Sequence, residues 1–184
     1  MRGFCLSTLA ASAVAAAAVL AGPAVPSASA AEPVGIAVFE FELSDVSGGS
    51  GIIAQDAADT DYLRKATEEA RRLLAASGRY SVVDTSGTGE VPRGGLQNCS
   101  GCEAAMAAKL GADQSMAGVV TRITRLEYTV QIVIRNANTG ALVSNHFTDA
   151  RMGANYAWTR GVKRLMETQI LAARDADARR PDAK

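Results

Sequence analysis

Histidine is almost missing from this sequence, His146 being the only one among 184 residues. A lone imidazole cannot build a multi-histidine metal site, and no serine or cysteine is flanked by the acid and base that would activate it as a nucleophile. Charge of one sign is missing too: 19 basic residues face 19 acidic ones. That balance argues against nucleic acid as a partner, because phosphate binding wants a basic face. Proline is absent between Pro92 and Pro181, which removes the late cis-proline that thioredoxin-like enzymes place opposite their dithiol. No second long apolar run follows residue 31, so no stable membrane insertion is expected beyond that point.

What is present begins with the pattern of an export signal. Arg2 precedes an Ala/Val/Leu-rich run ending near Ala21, then come Pro23, Pro26 and the small-residue site Ala28-Ser29-Ala30. This pattern predicts a secretory signal peptide over residues 1–31 and a periplasmic address. Cys5 lies ahead of the apolar run and is not placed to become a lipidated first residue. Cleavage leaves about 150 residues, enough for one domain with its own core, expected over 32–173. Residues 174–184 are charged, contain Pro181 and read as a disordered tail.

The patterning predicts an α/β (α+β) fold, a mixed β-sheet with helices packed on it, in the order β-α-β-α-β-β-β-α. Residues 34–41 form a nearly continuous apolar run, the mark of a buried strand. Residues 44–51 place Asp45, Gly48, Gly49 and Gly51 among serines and read as a loop, without the Lys-Ser/Thr of a phosphate-binding P-loop. Asp59 or Thr60 is expected to cap a helix whose Leu63, Ala66, Ala70, Leu73 and Leu74 share one face. Asp56, Asp59 and Asp61 do not have calcium-loop spacing, and acids near a helix start are favoured by the dipole alone.

After Gly78, residues 80–83 read as a short strand and 84–98 as turns. Ser100 and Glu103 have the spacing of a capping box for a helix stopped by Gly111. Tyr128, Val130, Ile132 and Ile134 alternate with Thr129, Gln131, Val133 and Arg135, the period of a half-buried strand. Residues 136–140 read as a turn that folds the next strand back. Asn155 is expected to cap a last helix carrying Trp158, Val162, Leu165 and Ile170, with Gly161 reflecting a close approach to the sheet.

Cys99-Ser-Gly-Cys102 is the one feature with an obvious chemical reading. A helix amino terminus lowers a thiol's pKa, which favours a redox role. The acid at Glu103 opposes thiolate formation. A structural disulfide, thiol exchange and half of a zinc site all stay open on these residues. Haem attachment does not, because Glu103 stands where a histidine must follow Cys102.

Taken in order, Val38-Phe39-Glu40-Phe41, the 80–84 segment, Leu110-Gly111-Ala112-Asp113, Gly118-Val119-Val120 and Thr139-Gly140 resemble a periplasmic domain. It is shared by the TolB amino-terminal region, the globular part of the curli secretion channel and the lipoprotein activators of penicillin-binding proteins. More narrowly, Cys99 and Cys102 ahead of Leu110-Gly111-Ala112-Asp113, with residues 153–160 opening the last helix, look like bacterial domain-of-unknown-function family 3280. The resemblance covers nearly all of the mature chain. It implies a non-catalytic accessory or interaction role in envelope assembly or beside a periplasmic quinoprotein alcohol dehydrogenase system. The partner so implied is another periplasmic or envelope protein.

The expectations are thus Cys99 and Cys102 as a disulfide or redox pair, and Asn155, Trp158 and Arg160 as an interaction or structural motif. No catalytic, metal or cofactor residues are expected. Thiol-disulfide exchange through Cys99 and Cys102 is the alternative function, and a small-ligand site on the 44–51 loop is a third reading.

Overall fold

A computed structural model describes residues 32–52, 55–89 and 91–172. The expected signal peptide over 1–31 and tail over 174–184 lie outside them. Seven strands form one mixed sheet: β1 (Val34–Val38), β2 (Glu42–Asp45), β3 (Tyr80–Val83), β4 (Gln114–Thr124), β5 (Glu127–Asn136), β6 (Leu142–Phe147) and β7 (Arg151–Met152). The main path runs β3-β1-β4-β5-β6, with β2 beside β4 and β7 beside β5. β1 is parallel to β3 and β4, whereas β4, β5 and β6 are antiparallel neighbours. The helices are α1 (Ala57–Ala76), α2 (Cys102–Lys109) and α3 (Trp158–Leu165).

The apolar run of 34–41 is not one strand. Val38 pairs with Met116 and Glu42 with Val119, so three residues on the β1–β2 side oppose two on β4. The additional residue makes a bulge, a local kink that separates β1 from β2. Phe39 and Phe41 are both buried, in different apolar clusters. Phe41 N–H, released from the ladder, donates to Thr67 Oγ1 at 2.9 Å, and that hydroxyl donates to Leu63 O at 3.0 Å. Thr67 is wholly buried and fully used.

The sheet's two faces are covered unequally. On one, Ile36, Val38, Met116, Val120, Val130, Ile132 and Ile134 pack with the apolar faces of α1 and α3. On the other, the smaller cluster of Ala37, Phe39, Leu96, Ala107, Ala112 and Ala137 lies under α2 and a 3-10 turn, Leu96–Asn98. α1 and α2 therefore leave the sheet on opposite sides.

Helix boundaries differ from expectation where long-range partners compete for the local caps. The α1 cap is Asp56, whose carboxylate accepts Asp59 N–H at 2.6 Å. Asp59 turns inward instead of capping. The Ser100–Glu103 capping box does not form. Ser100 and Gly101 both adopt positive φ, 54° and 100°, and α2 starts with no side-chain cap. Asn155 does not cap α3 either: it opens a 3-10 turn, Asn155–Ala157, that feeds directly into Trp158.

The last helix continues as a π-helical turn, Met166–Ile170. The wider turn keeps Ile170 on the buried side five residues beyond Leu165. The expected close approach at Gly161 is present, since a Cβ there would meet the Tyr128 ring and hydroxyl at 2.8 Å.

Candidate interaction site

The family-like motifs resolve first into local structure. Gly111, at φ 76°, turns the chain out of α2. Asp113 N–H then donates to Gly35 O at 2.9 Å, and Gly35 N–H donates back to Asp113 Oδ2 at 2.9 Å. In the 136–140 turn, Asn136 Oδ1 accepts Asn138 N–H and Thr139 N–H, and Gly140 supplies the positive φ. These residues hold strands in register, and their polar atoms are occupied in doing so.

Cys99 and Cys102 are joined in a disulfide. Both are half-buried beside the smaller cluster under α2. Glu103, which had two sequence readings, does neither job: its Oε1 pairs with Arg135 Nε at 3.1 Å, and its Oε2 lies 3.8 Å from Cys99 Sγ. The bonded sulfur carries no proton, so this last approach is a contact and not a hydrogen bond. Cys99, Cys102 and Glu103 place their potential ligand atoms within 4.8 Å of one another. With the two sulfurs bonded to each other, neither is a thiolate available to a metal.

The motif residues of the last helix separate. Asn155 Nδ2 donates to Asp59 Oδ1 at 3.0 Å. The same carboxylate pairs with Arg122 Nη2, and Arg122 Nη1 reaches Asp45 Oδ2 at 3.1 Å. The Arg122 guanidinium sits over the Trp158 ring, 5.4 Å from its centroid. Arg160 stands apart on the exposed side of α3. Four segments of chain, β2, α1, β4 and the 155–158 stretch, thus come together around Arg122, which carries no distinguishing signal in the sequence.

Burial opposes the charge on Arg122, but hydrogen bonds and proximity to Asp59 and then Asp45 outweigh it and raise its pKa. Asp45 is held below the ordinary carboxylate range chiefly by Ser47, with Arg122 adding to the effect against burial. The Ser47 N–H of the glycine-rich loop is given to Asp45 Oδ1 at 2.9 Å, so that loop already cradles an anion of its own. The three early aspartates divide: Asp56 caps, Asp59 meets Arg122, and Asp61 pairs with Arg64 and Lys65. His146 Nδ1 lies 3.2 Å from Gln169 Oε1. These separate duties bring no nucleophile, acid and base together among the described residues.

Among the described residues, an open part of the sheet is its β5–β6 end. α2 covers the second face near β1, β3, β4 and the Arg135 end of β5, and among the described residues no helix lies over Gln131, Val133, Asn145 and Phe147. Phe147 is 58 % exposed, and Leu142 and Val143 are exposed at a bulge in β6. Among the described residues β6 pairs with β5 alone. No described helix is long and apolar enough to cross a membrane.

Among solved structures, the chain is similar to the LpoB C-terminal domain from Salmonella enterica at 12% identity. That match covers 68% of this chain and 87% of that one, with a TM-score of 0.46. It is similar to PelC from Paraburkholderia phytofirmans at 15% identity, over 74% of this chain and 87% of that one, with a TM-score of 0.45. TolB from Acinetobacter baumannii matches at 11% identity over 75% of this chain and 28% of that one, with a TM-score of 0.44. No curated protein matches the chain significantly. A family model does, over residues 34–170, so the chain belongs to the DUF3280 family, described as a protein of unknown function (DUF2380).

Proposed function

We propose that this chain is a non-catalytic periplasmic accessory protein that docks another envelope protein on the β5–β6 end of its sheet. The observation carrying the proposal is Phe147, a large apolar side chain 58 % exposed on an edge strand beside an uncovered sheet face. An edge strand offers backbone hydrogen bonds as well as apolar surface, and both are resources for a protein partner. The export-signal pattern over residues 1–31 supports a periplasmic address. Support for an envelope assembly or a quinoprotein alcohol dehydrogenase system would be the setting in which such a module acts.

A photo-crosslinking residue placed at Phe147 in the exporting cell tests this reading, with Glu68 on the exposed side of α1 as control. A discrete adduct from position 147 and none from position 68 is the expected result. Equal labelling, or none at either, would refute the docking face.

The disulfide at the start of α2 favours a second reading, a thiol-disulfide oxidoreductase using Cys99 and Cys102. Against it, no free base or further thiol stands beside the pair among the described residues, and Glu103 is engaged by Arg135. Insulin reduction by the reduced protein would establish that activity, and none is expected.

A further inference from the structure

A cavity of about 670 Å³ lies outside the carboxyl ends of β1 and β3. Its position follows from topology. These neighbouring parallel strands lead to opposite faces, β1 by way of β2 to α1 and β3 to α2, and such a divergence opens a crevice where α/β sheets bind ligands. The volume lies within the range of small-molecule and short-peptide sites.

One side chain is fixed across the crevice. β3 ends at Val83, paired with Ala37, and so stops one residue short of Val38. Arg71, projecting from α1, takes the vacant place: its Nη2 donates to Val38 O at 2.7 Å and Thr85 Oγ1 at 3.0 Å. No carboxylate among the described residues is within ion-pair distance of Arg71. Its remaining N–H groups form the anchored half of a fork that suits a carboxylate or phosphate. Glu40, Glu42 and Asp84 line the same cavity. Three acids repel a divalent phosphate but tolerate a ligand that carries one negative charge and a positive charge of its own. Glu42 is committed to the Leu96 and Gln97 N–H groups and Asp84 to Ser86, with Asp84 also feeling the Arg71 charge from beyond ion-pair distance, which leaves the exposed Glu40 to face a cation. Leu43, Leu63 and Val91 supply apolar wall.

We propose that this crevice binds a short peptide segment through its terminal carboxylate, with Arg71 receiving the carboxylate and an apolar last side chain lying against Leu43, Leu63 and Val91. The site lies toward the opposite edge of the sheet from β6 and does not depend on docking there. The carboxylate can belong to a free peptide, whose ammonium then meets Glu40, or to the end of a longer chain.

The test titrates the full chain with the tripeptide Gly-Ala-Leu, its carboxyl-terminal amide and its N-acetyl form, read by calorimetry and by NMR shifts at Thr85 and Gln97. The acid is expected to bind at least ten-fold more tightly than the amide, and Arg71→Lys to remove that preference. Because Arg71 also ties strand ends together, the acid-against-amide comparison on the unaltered protein decides the matter if the variant fails to fold. Binding kept by the N-acetyl form assigns the site to a chain end, and binding that needs the free ammonium and is lost in Glu40→Gln assigns it to free peptide. No binding by the acid, or equal binding by acid and amide, would overturn the proposal.

Discussion

The ring of Phe41 occupies the space where Gly118 has no side chain, so closely that a Cβ on Gly118 would overlap the ring's Cε1, Cδ1 and Cζ. The bulge between β1 and β2 swings Phe41 over β4, and only glycine at 118 leaves room for it. Both residues are buried, which leaves the ring no exit to solvent. Gly118→Ala should therefore destabilise the fold by about 1–3 kcal/mol through overpacking. Urea denaturation measures it, and an unchanged midpoint would show that the ring can move aside.

Arg122 joins Asp45 on β2, Asp59 on α1 and the Trp158 ring on α3. Asp59 has a side chain only 4 % exposed. Removing the guanidinium by Arg122→Ala leaves that carboxylate buried with Asn155 as its side-chain donor, at an expected loss of about 3 kcal/mol. Asn155→Ala removes one hydrogen bond from the same carboxylate and should cost about 1 kcal/mol. Denaturant midpoints of the two variants check both size and order; a larger effect from Asn155→Ala would reverse the assignment of Arg122 as the centre of the cluster.

Acid should loosen the same region. The Asp45 carboxyl is lowered from 3.8 chiefly by its hydrogen bonds with Ser47 and further by Arg122, so the folded state prefers its charged form. The resulting stabilisation is present above pH 3.8 and is lost as pH falls below it toward the folded pKa. Asp45→Asn should be less stable than the natural chain at pH 7, with the gap narrowing by pH 3. Asp61, Glu69 and Asp84 are shifted in the same direction and give both proteins an acid limb. A gap independent of pH would refute the linkage.

Reducing the Cys99–Cys102 bond should cost only about 2 kcal/mol, since so short a loop restrains little of the unfolded chain. The loss should be local. α2 has no side-chain cap and begins at the bonded Cys102, so its first turn relies on the crosslink. Hydrogen exchange is expected to quicken in α2 and stay unchanged in α1. Equal quickening in both helices would mean that the bond supports the whole domain.

The features most legible in the sequence were those with local causes. The alternation of Tyr128, Val130, Ile132 and Ile134 matches the buried face of β5, and the Leu63–Leu74 spacing matches the buried face of α1. The turn at Asn136 and Gly140 was readable because its bonds stay within five residues. Caps failed for the opposite reason. Asp59, Glu103 and Asn155 all have good local uses, but Arg122 or Arg135 draws them, directly or through Asp59, into bonds with distant segments. Arg122 itself stands in a strand between Thr121 and Ile123 with nothing nearby to mark it, and the residues it gathers are spread from 45 to 158. The division of residues 34–41 was equally hidden, because a run apolar throughout does not disclose which ring goes to which face.

Glu42 sits in β2, yet its two oxygens receive the N–H groups of Leu96 and Gln97, 54 and 55 residues away. That carboxylate lines the crevice held by Arg71, while the turn it grips leads directly into Cys99. One side chain thus joins the wall of the crevice to the approach of a covalent staple. If binding in the crevice shifts the 96–97 backbone, thermodynamic reciprocity requires that an oxidation state altering occupancy be altered by occupancy in turn.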